Sequence, residues 1–157
     1  MEELWDQQRK YEKKYLDRSD KEFHKDSYES FLDNMQDYLG RLDKEQRALL
    51  RDASDGLLRS DRAWLQERAA WLEKLGILMQ REPGWQQGVR EAIAARSENT
   101  SPEYLRIYTH NLALIHGTVA TLLNSRSDKQ DRRLRKALSD LREDLETLIA
   151  QGKSAAA

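Results

Sequence analysis

The chain has 157 residues, 38% of them hydrophobic and 35% charged, and a mean hydropathy of -0.92. Its 27 Lys and Arg nearly balance 28 Asp and Glu, for a net charge of -1, which gives no reason to expect a polyanion or a membrane surface as partner. The absence of cysteine excludes disulfides, thiolate metal sites and a thiol nucleophile, and seven Gly with two Pro are too few for a strand-and-turn architecture.

Apolar residues recur at helical spacing almost throughout, and no segment alternates with period two. Leu4, Trp5, Tyr11, Tyr15 and Leu16 predict a first helix over 2–16, on a stripe that Gln8 interrupts. Ser19 and Glu22 then form a capping box: the hydroxyl accepts an orphan N–H of the first turn while the carboxylate reaches back. Tyr28, Phe31, Leu32, Met35, Tyr38 and Leu39 follow on one face, and Gly40 supplies the left-handed residue that commonly ends a helix. Asp43 and Gln46 repeat the start signal, with Leu42 placed to pack back on Arg47 or Ala48. Leu49, Leu50, Ala53 and Leu57 mark the third helix, which breaks between Ser54 and Asp61.

The next stripe is Trp64, Leu65, Trp71, Leu72, Leu75, Leu78 and Met79, with Arg68 inside it and Glu82-Pro83-Gly84 as the stop. A short helix over 85–95 presents Trp85, Val89, Ala92 and Ile93, before a polar loop at Ser97-Glu98-Asn99-Thr100. Ser101-Pro102-Glu103 opens a helix with Leu105, Tyr108, Leu112, Ile115, Val119 and Leu122 on one face. No charged residue lies between Ile107 and Ser125, so this helix is expected to be covered on most sides. Its histidines, threonines and Asn111 make it too polar for a membrane span. Ser127 and Gln130 give a third box, and Leu134, Leu138, Leu141, Leu145 and Leu148 alternate by four and three along the last helix, to Gly152. The expected fold is an all-α bundle of six or seven helices in one domain, 1–152, with a frayed tail over 153–157.

Residues with the makings of a catalytic or metal site are few. His110 and His116 stand six apart, about 240° around a helix, and so do not share a metal; His24 belongs to another helix, and all three read as histidines bonded to backbone or hydroxyls. There is no Gly-rich phosphate loop, no nucleophile elbow, no facing carboxylate pair and no metal-ligand spacing, so neither catalytic residues nor a cofactor are expected. The most basic stretch, Arg126 to Lys136, is interleaved with Asp128 and Asp131 and lacks aromatics, which reads as a solvated helix face and not a nucleic-acid surface. The sharper feature is Arg68 between Trp64 and Trp71, two indoles one heptad apart on the same face. Its plain reading is a structural cation–π contact; its functional reading is an aromatic groove that accepts a partner's side chain, built from residue types enriched at binding hot spots.

The segment Leu39-Gly40-Arg41-Leu42-Asp43-Lys44-Glu45-Gln46-Arg47-Ala48-Leu49-Leu50 resembles the L-G-x-L-T-P-E-Q-R-A-L segment of a family of proteobacterial envelope lipoproteins, catalogued as domain of unknown function 6279. Tyr15-Leu16-Asp17 with Ser19, Trp64-Leu65-Gln66-Glu67-Arg68, Ser101-Pro102-Glu103-Tyr104, and Leu122-Leu123-Asn124-Ser125 running into Leu134-Arg135 are similar in the same order. Asp43-Lys44 stands where the family has Thr-Pro, and Ser127 to Gln130 is a decayed second copy of that motif. The family's signal peptide, lipid-bearing cysteine and aromatic-rich N-terminal half have no counterpart here, so the likeness is to the C-terminal part.

The resemblance implies an all-helical periplasmic domain, tethered to a membrane by lipid, with no established activity and no catalytic residues to carry over. Read alone, the charged N-terminus implies a cytoplasmic product if Met1 is the natural start; a fragment of a longer protein reconciles the two. The expected function is a non-enzymatic interaction or structural module of a Gram-negative envelope, with another envelope protein as partner. The alternatives are an ATP-independent periplasmic chaperone, a class that is strongly basic where this chain is near neutral, and a carrier of small ligands in the Trp-lined groove.

Overall fold

The computed structural model describes residues 1–95 and 100–155 and is all-α. Seven helices are present among them: α1 (Glu2–Leu16), α2 (Asp20–Leu39), α3 (Lys44–Gly56), α4 (Asp61–Leu78), α5 (Trp85–Ala94), α6 (Pro102–Asn124) and α7 (Asp128–Ala155). The start signals act as the sequence predicts. The Glu22 carboxylate accepts the Ser19 N–H at 2.7 Å while the Ser19 hydroxyl accepts the Glu22 N–H at 3.2 Å. Asp43 and Gln46 exchange the same pair of bonds at 3.1 and 2.8 Å, as do Ser127 and Gln130 at 2.9 and 3.3 Å. Gly40 ends α2 at φ +74°, a conformation that costs any residue with a Cβ. The predicted loop at Ser97–Asn99 lies outside the described residues, as do 156–157.

The chain divides into two compact units: 1–24 with 56–114, and 25–55 with 115–157. Each is assembled from two separated stretches, and α2 and α6 each contribute residues to both, so no linker or shift of composition marks the division in the sequence. The second unit has a leucine core of Leu39, Leu42, Leu50 and Leu122, ringed by Phe31, Leu32, Met35, Leu49, Leu123 and Leu134. Beside it sits a buried polar lock. The side-chain amides of Gln46 and Gln130 donate to each other's oxygens at 3.0 and 2.8 Å, and each oxygen also accepts the N–H that closes its own capping box. Gln130 additionally donates to the Arg41 carbonyl at 3.1 Å. Two helix starts, 84 residues apart, are thereby joined through their caps.

In the first unit α1 packs on α4, and α4 on α5. A charge network ties the turn after α1 to the connector between α3 and α4. Arg18 forks onto the buried Asp61 carboxylate at 2.7 and 3.0 Å while its guanidinium lies over the Tyr15 and Phe23 rings, at 5.1 and 5.0 Å. Arg59 reaches Asp61 at 3.0 Å, Asp20 at 2.8 Å and the Tyr15 carbonyl at 2.7 Å. Its bonds to Asp20 and then Asp61 hold it protonated above the ordinary arginine range. Asn111 clamps the same connector: its amide donates to the Leu58 carbonyl and accepts the Leu58 N–H, both at 2.8 Å.

Several expectations are corrected. Gln8 does not interrupt the inward face of α1 but is its most buried residue, donating to the Leu65 carbonyl at 3.1 Å. Helix α4 stops at Leu78, ahead of the Pro83 signal, because Arg81 turns the chain at φ +59°; Gly84, at φ +89°, then opens α5. Ile93 is exposed on α5, where Ala92 faces inward. Helix α6 is not covered on most sides. Ile107, Thr118 and Leu122 are buried with Asn111 and Leu114 half-buried, whereas Leu105 and Tyr108 are exposed. Helix α7 continues past Gly152 to Ala155, and its leucines beyond Leu134 do not form a core: Leu138 is 52% and Leu148 61% exposed. Among the described residues no helix is long and apolar enough to cross a membrane.

Candidate functional site

The heptad spacing on α4 does place Trp64 and Trp71 on one face with Arg68 a turn from each, but the indoles are half-buried, not core. Trp64 is braced by Tyr11 and Tyr15 of α1, with centroid separations of 5.6 and 6.0 Å, the second edge-on at 86°. Arg68 lies over the Tyr11 ring at 5.2 Å, so its cation–π partner is a tyrosine of α1 and not an indole.

The other side of this face is open. Trp64, Arg68, Trp71 and Lys74 of α4, with Ala92 of α5 and Tyr104 of α6, line a hollow of about 260 Å³. That lies just under the roughly 300 Å³ at which ligand pockets usually begin, and suits a single side chain better than a lipid. The start of α6 is held against it: Glu67, also in the lining, accepts the Ser101 N–H at 2.9 Å, and the Ser101 hydroxyl caps Tyr104 at 3.3 Å.

Arg68 is the unusual group in this lining. Its Nε is buried without a hydrogen-bond partner, and among the described residues the guanidinium forms no ion pair. A buried N–H left unmatched costs about 1–3 kcal/mol. Sequence spacing finds Trp64, Arg68 and Trp71; it does not find Tyr11, Ala92 or Tyr104, which reach the site from other helices by tertiary packing.

The histidines do not converge. His110 Nε2 lies 3.0 Å from the Gly56 carbonyl, His24 sits edge-on to Phe23 at 5.0 Å, and His116 is exposed. Among the described residues no group of three His, Asp or Glu gathers to hold a metal ion.

A second concave surface belongs to the other unit. A shallow cleft of about 750 Å³ runs along α3, with Arg41, Lys44, Arg47 and Arg51 in its wall beside Tyr28 of α2. This basic wall is not evident from the sequence, in which Arg126 to Lys136 is the most basic stretch. The signal present was the three-and-four spacing of Lys44, Arg47 and Arg51 on one helix face. In that stretch, Arg126 and Arg135 are both spent on Asp131, at 2.7 and 2.6 Å.

No protein-family model, curated protein or solved structure matches this chain.

Proposed function

We propose that the protein is a non-enzymatic interaction module of a bacterial envelope, and that its α4 groove receives one side chain of a partner protein. The observation that carries this reading is the half-open hollow in which two indoles flank an arginine with an unmatched buried N–H. Two indoles, an unpaired guanidinium and Lys74, against the one carboxylate of Glu67, favour an acidic residue set beside an apolar one. The family-like segments support placement in the periplasm of a lipid-tethered parent protein, and sequencing the gene upstream for a signal peptide and lipid-acceptor cysteine tests that placement.

The groove is tested by Trp fluorescence titration with three short peptide pools: acidic–apolar, basic–apolar and neutral–apolar. The acidic–apolar pool is expected to shift the emission and to lose that effect in Arg68→Gln. A response equal across the pools, or unchanged in the variant, removes the groove from the account.

A chaperone is the second reading, and one observation favours it. The stripe Leu138, Leu141, Leu145, Leu148 and Ile149 leaves a contiguous apolar face on α7, the kind of surface that holds unfolded clients. If a stoichiometric amount leaves light scattering by an aggregating client unchanged, and equally so for Leu141→Asp, that reading fails.

A further inference from the structure

Among the described residues six arginines outside the α3 cleft are met by carboxylates. Arg9 pairs with Asp6, Arg18 and Arg59 with Asp61, Arg126 and Arg135 with Asp131, and Arg142 with Glu146. The cleft along α3 gathers cations that lack such partners. Arg41, Lys44, Arg47 and Arg51 share one wall, and none of the four forms an ion pair among the described residues.

Two of them are nonetheless fixed in place, by neutral groups. Arg47 donates through Nε and Nη2 to the Leu42 carbonyl, at 2.9 and 2.8 Å. Arg51 lies on the Tyr28 ring at 4.3 Å. A carbonyl and a phenol ring position a guanidinium without cancelling its charge, and Nη1 of Arg47 stays free of internal bonds. The two acids of the wall offset only half of the four cations. Asp43 already accepts the Gln46 N–H at 2.8 Å, and counting it with Asp52 still leaves the lining at +2. Positioned cations that lack a counter-charge are what an anion site needs before its ligand arrives.

We propose that this cleft binds a phosphate-bearing ligand with two or more negative charges. A surplus of +2 matches a phosphomonoester or diphosphate better than a single carboxylate. Arginine forks suit phosphate oxygens, and about 750 Å³ leaves room for the body that carries the phosphate. The site is in the unit that does not hold the α4 groove, so it stands or falls apart from the proposed partner contact.

The test is thermal shift and calorimetric titration of the whole chain with pyrophosphate, at constant ionic strength, against Arg41→Gln/Lys44→Gln and Arg47→Lys. All three side chains are exposed, so these variants are expected to fold as the parent does. Pyrophosphate should raise the Tm of the parent, and chloride at matched ionic strength should not. The double variant should bind at least about tenfold more weakly, and Arg47→Lys should weaken binding despite its kept charge, because a lysine cannot hold the Leu42 carbonyl through two donors and still present a third. Co-sedimentation then separates the sources. Vesicles of phosphatidylcholine containing phosphatidic acid should carry the protein down if the phosphate is a lipid headgroup; if only pyrophosphate binds, the ligand is a soluble phosphate ester. The proposal is overturned if neither probe binds, or if both variants bind as the parent does.

Discussion

Replacing Asp61 by asparagine keeps the shape of the side chain and removes the charge that two arginines share. The carboxylate accepts three bonds, two from Arg18 and one from Arg59. Asparagine offers one oxygen and turns an NH₂ toward a guanidinium, so at most the two bonds that share one oxygen survive and a donor meets a donor. Removing one member of a buried ion pair costs roughly 3–5 kcal/mol, mostly for the charge left behind. The Arg18 and Arg59 side chains keep 17% and 28% of their exposure, so water takes up part of that charge; a loss of about 2–3 kcal/mol follows. For a chain of this size each kcal/mol moves Tm by about 2–4 °C, so Asp61→Asn should melt about 4–12 °C below the parent by far-UV circular dichroism at pH 7. The double variant Arg18→Gln/Asp61→Asn should lose less than the two single losses added together, since it removes the stranded charge as well. A Tm within about 1 °C of the parent, or strict additivity, would show that the network is ornamental and the reasoning wrong.

Three further outcomes follow from the packing. Leu50→Ala, at a fully buried position, should cost about 2–5 kcal/mol in urea unfolding, whereas Leu145→Ala, on the open face of α7, should stay within about 0.5 kcal/mol; equal losses would mean that α7 is packed after all. Gln130→Ala should cost about 1–3 kcal/mol by stranding the Gln46 amide, and a urea double-mutant cycle with Gln46→Ala should show coupling above about 0.5 kcal/mol, which independent caps would not give. Bonds from Arg135 and then Arg126 hold the Asp131 carboxyl below the ordinary aspartate range. The folded state then binds fewer protons than the unfolded one as pH falls. The stabilisation is complete well above the unfolded value of about 3.9 and is lost as pH drops below it through the folded value. Asp131→Asn should therefore flatten the fall of Tm between about pH 5 and 2, and an unchanged slope would refute the assignment.

Helix starts were the most legible part of the fold because they are local. The reciprocal bonds at Ser19, Asp43 and Ser127 involve residues three apart, and the left-handed Gly40 needs only its own backbone. The helix ends of α4 and α7 were less legible. Pro83 is a stronger written signal than Arg81, yet Arg81 makes the turn, and Gly152 is tolerated inside α7 at a cost of about 1 kcal/mol. The groove was half legible: one heptad of α4 supplies Trp64, Arg68 and Trp71, while its opposite wall comes from helices that local spacing does not relate to α4.

Reading faces from apolarity failed for a physical reason. Gln46, Asn111 and Gln130 turn inward because each finds carbonyls or amides that satisfy its own amide groups, and a satisfied amide packs almost as an apolar residue does; Gln8 turns inward with its NH₂ bonded to the Leu65 carbonyl and its oxygen unmatched. Those partners lie 53 to 89 residues away in the chain, out of reach of any periodicity. Once amides hold the inside of α1 and the starts of α3 and α7, leucine is no longer a sufficient sign of core. The heptad leucines of α7 are then surplus to the fold of this chain, and stability offers no account of their four-and-three spacing. Substituting them should separate function from folding, since their loss leaves the leucine core around Leu50 and the paired glutamines in place.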